Sequence, residues 1–205
     1  MIGKTNVCIY VIACLCLMLF GTAGAVSAPA ESIESTISTI LDTLKDPGLS
    51  APAKKQERRD KIRALIKDRF DFEEMARRSL ARHWKKRTDA EKKEFVSIFS
   101  ELLEESYIGK IENYTDEKIT YDKEVVRKGG KYAVVSTMIV TENVDIPIDY
   151  KVMLKTDKWW VYDIVIEGVS FVSTYRNQYN KIIMKQSYAK LIQKMKSKLE
   201  EVRSL

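Results

Sequence analysis

Apolar positions recur with a helical period through the first half of the chain, alternate through the next fifty residues, and then return to the helical period. Ile33, Ile37, Ile40, Leu41 and Leu44 lie at i, i+4, i+7, i+8 and i+11, the spacing that places side chains on one face of a helix. Pro47-Gly48 ends that helix, because proline cannot continue it and glycine permits the turn. A second, strongly basic helix over roughly 53–68 has Ile62, Leu65 and Ile66 as its apolar side. Asp71 caps a third, with an acid three residues on; this helix presents Phe72, Met75, Ala76 and Leu80 and is expected to run to about Trp84. Thr88-Asp89-Ala90-Glu91 is a clearer capping box. It opens a long helix with Phe95, Phe99, Leu102 and Leu103 on one side, continuing through Tyr107, Ile108 and Ile111.

Near Thr115 the period changes to that of strands. Residues 118–127 alternate, Gly129-Gly130 reads as a hairpin turn, and 131–141 (KYAVVSTMIVT) is rich in β-branched residues and apolar on both faces. A turn at 142–145 leads to a half-buried strand over 145–156, with Pro147 marking an edge or a strand start. Asp157-Lys158 turns the chain into 159–167 (WWVYDIVIE), and Gly168 is expected to stop the sheet. Three tight turns joining four strands imply an antiparallel meander. Helical spacing resumes over 170–183 and in a basic amphipathic stretch over 186–203. The pattern is α+β: a curved four-stranded antiparallel sheet covered on one face by N- and C-terminal helices.

The first residues do not belong to this pattern. Lys4 is the only charge before Glu31, an apolar run of about 14 residues from Val7 to Phe20 follows it, and small residues fill 21–28. This is the layout of a cleavable signal peptide over 1–28, cut after Ala25 or Ala28; a membrane-spanning anchor would need about 20 apolar residues. Cys8, Cys14 and Cys16 all fall inside it, so the exported chain carries no thiol and must rely on an ordinary core. Removing Lys4 leaves 34 basic residues against 29 acidic ones, an excess of five. The densest basic stretches, 54–69 and 77–87, suit solvated helix faces, anionic headgroups or acidic partners. Nucleic acid is a poor match, since export removes that partner and no recognition motif accompanies the charge.

Candidate chemistry is sparse. His83 is the only histidine, so neither a Ser-His-Asp nor a Cys-His arrangement assembles, and a zinc site of the usual kind lacks ligands. Asp163 and Glu167 lie four apart on the last strand and share a face. They read either as an acid/base pair or as structural hydrogen-bond acceptors. Gly129-Gly130 has no following helix and is no phosphate cradle. The informative feature is the apolar supply: two strands are apolar on both faces, while the helices suffice to cover one. A filled core and a sheet with helices across its mouth, leaving an apolar pocket, both fit.

The stretch from Trp159 to Tyr179, WWVYDIVIEGVSFVSTYRNQY, resembles the MlaC family, the toluene-tolerance substrate-binding proteins. The Trp159, Val161-Tyr162-Asp163, Glu167-Gly168, Ser170, Val172, Tyr175-Arg176 and Gln178 positions carry the likeness. The resemblance implies an NTF2-like fold over 29–205 as a single domain, mostly helical over 29–115, sheet over 116–168, and helical again over 169–205. It further implies a periplasmic phospholipid carrier, with no cofactor, no metal and no catalytic group, working as a monomer. Its partners would be an inner-membrane ABC transporter with an MCE-domain protein and an outer-membrane lipoprotein–porin complex that maintain lipid asymmetry. A 16-carbon chain left in water would cost roughly 12 kcal/mol at about 0.8 kcal/mol per methylene, so such a carrier must enclose the tails. Trp159, Val161 and Val165 are expected to line the cavity from the last strand, and Val135, Thr137 and Ile139 from its neighbour. Phe72, Met75, Phe95, Phe99, Leu102 and Tyr107 would form the helical wall, with Phe171 and Val172 at the lip. Arg176 is expected either to hold its helix against the sheet through Asp163 or Glu167, or to meet a phosphate. An NTF2-like enzyme using Asp163 and Glu167, and a lipid-free envelope adaptor, are the other readings.

Overall fold

The computed structural model describes residues 27–114 and 117–204; the expected signal peptide lies almost wholly outside them. The first helix, α1, spans Pro29–Lys45, with proline in its first turn, where the missing N–H is not needed. It stops at Asp46, whose carboxylate accepts the Gly48 N–H at 2.8 Å. Two short 3-10 turns lead into α2 (Lys55–Arg69), of which only Ile62 is fully buried. Asp71 accepts the Glu74 N–H at 2.9 Å and caps α3 (Phe72–Leu80). That helix ends four residues before the expected Trp84, because Ala81 adopts φ 47° and throws residues 81–86 into a 3-10 turn. The turn buries His83 against the Asn180 side chain at 2.9 Å. Thr88 and Glu91 form both halves of the capping box and start α4 (Asp89–Glu112).

The sheet is a meander in the order β1 (Lys118–Arg127), β2 (Tyr132–Val140), β3 (Asp145–Lys155), β4 (Lys158–Ile166) and β5 (Val169–Ser170), antiparallel throughout. Gly168 does not stop it. Glu167 and Gly168 both take positive φ, the requirement of a two-residue hairpin, and the chain returns as a fifth strand of two residues. The β3–β4 hairpin likewise turns at Thr156-Asp157 rather than at Asp157-Lys158. Two register shifts bend the sheet, one beside Asp122 in β1 and one at Tyr162 in β4. After Ser170 come α5 (Phe171–Lys185) and α6 (Tyr188–Arg203), each capped by a serine side chain.

Two separate cores result. One is helical, where Met75, Ala76 and Leu80 of α3 meet Phe95 and Phe99 of α4, Val172 and Tyr179 of α5, and Leu191 and Met195 of α6. The other lies where Ile33 of α1 packs on Ala133, Val135, Val152, Trp159 and Val161 of the sheet. Phe70 touches both and pairs with Val161 along β4, with the Asp71 N–H donating to the Val161 carbonyl at 2.9 Å. Among the described residues, no helix is long and apolar enough to cross a membrane.

Candidate functional site

Between the inner face of the sheet and the helices is an apolar cavity of about 250 Å³, just below the roughly 300–1,000 Å³ of small-ligand sites. Its roof is the apolar face of α1 (Ile33, Ile37, Ile40, Leu41) and Ile66 of α2. Its floor is Ile148 and Tyr150 of β3 with Ile164 and Ile166 of β4. Phe70, Phe72 and Met75 complete the lining together with Leu103, Tyr107, Ile111 and Phe171. The rings stand in pairs, Phe70 with Phe72 at 6.0 Å and Tyr107 with Phe171 at 4.9 Å. Most of these side chains are only half-buried although they face inward. That is the signature of a hollow, since a packed interior would leave them no accessible surface.

Few polar groups face this space. Arg69 donates to the Thr36 hydroxyl at 2.8 Å, the Ser32 hydroxyl at 2.6 Å and the Trp159 carbonyl at 2.8 Å, tying the end of α2 to α1 and the sheet. Desolvation depresses its basicity. Burial also pushes the phenol of Tyr150 well above its usual range. Glu104 of α4 is buried in the wall, with its Oε2 at 3.3 Å from the Lys67 ammonium. Among the described residues no cluster of three or more His, Cys, Asp or Glu is placed to hold a metal.

The family model for the MlaC protein matches residues 34–197. The chain belongs to the MlaC family. It is 31% identical over 115 residues to the intermembrane phospholipid transport system binding protein MlaC of Haemophilus influenzae, a match covering 54% of each chain. The chain thus spans about half the length of the curated relative it matches. A solved phospholipid-binding protein from Ralstonia solanacearum, determined in complex with a phospholipid, superposes with a TM-score of 0.76 at 22% identity. That superposition covers 86% of this chain and 99% of the other, so the two share a fold.

The stretch that carries the MlaC likeness is a structural joint. Asp163 is buried and accepts three hydrogen bonds, from the Lys151 ammonium at 3.0 Å, the Ser170 hydroxyl at 2.7 Å and the Val172 N–H at 3.0 Å. One carboxylate thereby joins β3, β5 and the start of α5. Glu167 stands exposed in the β4–β5 turn, away from those donors. Arg176 bonds neither acid; its Nε donates to the Arg78 carbonyl at 3.0 Å and holds α5 against α3.

Of the residues expected to line the cavity in this MlaC-family chain, Phe72, Met75, Tyr107 and Phe171 do so. The others sit elsewhere. Phe95, Phe99 and Val172 are consumed by the helical core, and Leu102 lines a shallow groove between α4, α5 and α6. Val135, Trp159 and Val161 lie on the cavity face of the sheet but under Ile33, which fills that end. Thr137 and Ile139 share that face by register; Thr137 is buried, donating to the Ile148 carbonyl at 3.1 Å. Val165 points to the opposite face. The extra residue at Tyr162 reverses the alternation, so inward positions run Trp159, Val161, then Ile164 and Ile166. The α1 face was legible as an apolar stripe, although nothing in its spacing marked it as a cavity roof. Arg69, Glu104 and Tyr150 carried no such signal, because a lone polar residue on a helix or strand looks the same at the surface and at a cavity wall.

Proposed function

We propose that this protein binds phospholipid and carries it through the periplasm between an inner-membrane ABC transporter with its MCE-domain protein and an outer-membrane lipoprotein–porin complex. The observation that supports this reading is the hollow itself, an apolar space lined by half-buried isoleucine, leucine and aromatic side chains beneath a bent sheet. Apolar surface of this kind is stabilised by burying methylenes, each worth about 0.8 kcal/mol. Such a carrier does no covalent chemistry. Its work is to hold tails away from water and release them, and the hydrogen bonds of Asp163 fit a structural role in that task. The phospholipid named for the Ralstonia protein of the same fold points to the same ligand class. Organic extraction of natively purified protein, followed by mass spectrometry, is expected to yield close to stoichiometric phospholipid; an empty extract would count against the carrier reading.

Export also fits. The buried Trp159 indole N–H donates to the Ser27 carbonyl at 2.9 Å. Cleavage after Ala25 retains that acceptor and cleavage after Ala28 removes it, so the mature chain is expected to begin at Val26. Intact-mass measurement of the secreted protein decides between the two.

A further inference from the structure

The two densest basic stretches of the chain have different fates. Along α2 the cations are consumed by the protein's own acids: Arg58 and Arg59 by Glu112, Arg63 by Glu105, and Lys54 and Lys61 by Glu57. The second stretch opens in the same way, with Arg77 and Arg78 on Glu74. Beyond them Arg82, Lys85 and Lys86, in the 3-10 turn after α3, are exposed and form no ion pair among the described residues. That turn is fastened at both ends to the α5–α6 hairpin. Arg82 and His83 each bond the Asn180 side chain of α5 at 2.9 Å, and the Arg87 guanidinium lies 4.4 Å from the centre of the Tyr188 ring at the start of α6. The hairpin adds charge of the same sign, since residues 168–199 contain no Asp or Glu. Lys181 and Lys185 lie one turn apart on α5, both exposed, and Met184 beside them is 65% exposed. The acids that border this tip are already paired, Glu91 with Arg87 at 3.0 Å, Asp89 with Lys92 at 2.9 Å and Glu94 with Lys196 at 2.7 Å.

We propose that this tip, Arg82, Lys85 and Lys86 with Lys181, Met184 and Lys185, docks the protein on the surface of an anionic phospholipid bilayer. Like charges crowded on two adjoining elements repel one another, and a surface of opposite charge relieves that repulsion. Met184 selects a lipid surface over an acidic protein. It is an unbranched apolar side chain flanked by ammonium groups. At a bilayer such a chain enters the acyl boundary, while the lysine stems lie along it and their heads stay among the phosphates. Docking of this kind is independent of what the cavity holds.

The test mixes full-length mature protein with vesicles of phosphatidylcholine alone, or of equal parts phosphatidylcholine and phosphatidylglycerol, and measures the bound fraction by sedimentation. Binding is expected only where phosphatidylglycerol is present, weakening several-fold between low salt and physiological ionic strength. Lys181→Gln with Lys185→Gln is expected to weaken it roughly thirtyfold, about fivefold per lysine. Met184→Ser is expected to weaken it several-fold without changing its salt dependence. Lys54→Gln with Lys61→Gln on α2, which removes the same net charge from another face, is expected to leave binding almost unchanged. All of these side chains are exposed, so melting curves should match wild type. Equal weakening by the two double variants would mean that only net charge is felt, and overturns the proposal. Binding to polyglutamate in place of vesicles also overturns it and gives the tip to an acidic protein. A wild type that binds no vesicle, yet yields phospholipid on organic extraction, overturns the docking surface and leaves the carrier reading standing.

Discussion

The helical core and the space under the sheet draw on the same kinds of apolar residue, yet one is solid and the other is hollow. In the helical core, Phe95 and Phe99 stack at 5.9 Å, Tyr179 meets Phe95 edge-on at 5.7 Å and Tyr175 meets Phe99 at 5.7 Å, so large rings from two helices fill each other's gaps. Under the sheet, shorter aliphatic chains of α1 face the isoleucines of β3 and β4 across a surface that two bulges bend away. The way the helices are held also differs. Four helices bury one another's apolar faces in the core, whereas α2 buries only Ile62 and reaches α4 through ion pairs. Arg58 and Arg59 meet Glu112 at 3.4 and 2.7 Å, and Arg63 meets Glu105 at 2.9 Å. Apolar content alone therefore does not make an interior. Side-chain size and the number of sides from which helices press decide whether it closes.

The contrast can be broken most directly in the filled region. Phe95→Ala is expected to destabilise by about 3–5 kcal/mol, the cost of an aromatic lost from a packed core, measured by denaturant unfolding. Asp163→Ala is expected next, at on the order of 3 kcal/mol, because it leaves three donors without their shared acceptor. In the hollow region the sign of the trade reverses. Ile37→Trp is expected to shift stability by no more than about 1 kcal/mol, since it enters open space instead of displacing neighbours, while sharply reducing retained phospholipid. Equal loss of stability in Ile37→Trp and Phe95→Ala would show that the space is already packed.

The smallest effect belongs to the α2–α4 seam. Glu112→Gln is expected to cost about 1 kcal/mol or less, as partly exposed ion pairs do. Burial alone would raise the Glu112 carboxyl, but the hydrogen bond from Arg59 and the charges of Arg59, Lys55 and Arg58 outweigh it and hold the pKa below its ordinary value. A depressed acid contributes its stability above the unfolded pKa, near 4.5, and loses it as pH falls through the lower folded value. Wild type should therefore lose its advantage over Glu112→Gln as pH falls below 4.5 and through the lower folded value, which unfolding curves collected across that range would reveal.

Much of the architecture was legible in the spacing of apolar residues. Backbone hydrogen bonding and side-chain burial act locally there: the capping box at Thr88 and Glu91, the stripe on α1, and the alternation of β1 and β3 each arise from neighbours in the chain. The fifth strand was missed because Gly168 signals a turn but leaves the next element unspecified, and the early end of α3 because nothing local to Ala81 announces a positive φ.

The amino-acid sequence by itself determined the main helices, four of the five strands, their order, and the MlaC-family stretch from Trp159 to Tyr179. The tertiary structure alone decided which apolar faces enclose space and which fill it. The bulge at Tyr162 exchanged Val165 for Ile164 and Ile166 at the cavity floor, a change of one residue in register that depends on pairing with β3. Likewise Glu104 became a wall residue only when α2 folded across α4 and buried it. A helical period fixes the face on which a side chain lies; the distance to whatever stands opposite is set by the curvature of the sheet and the size of the neighbouring rings.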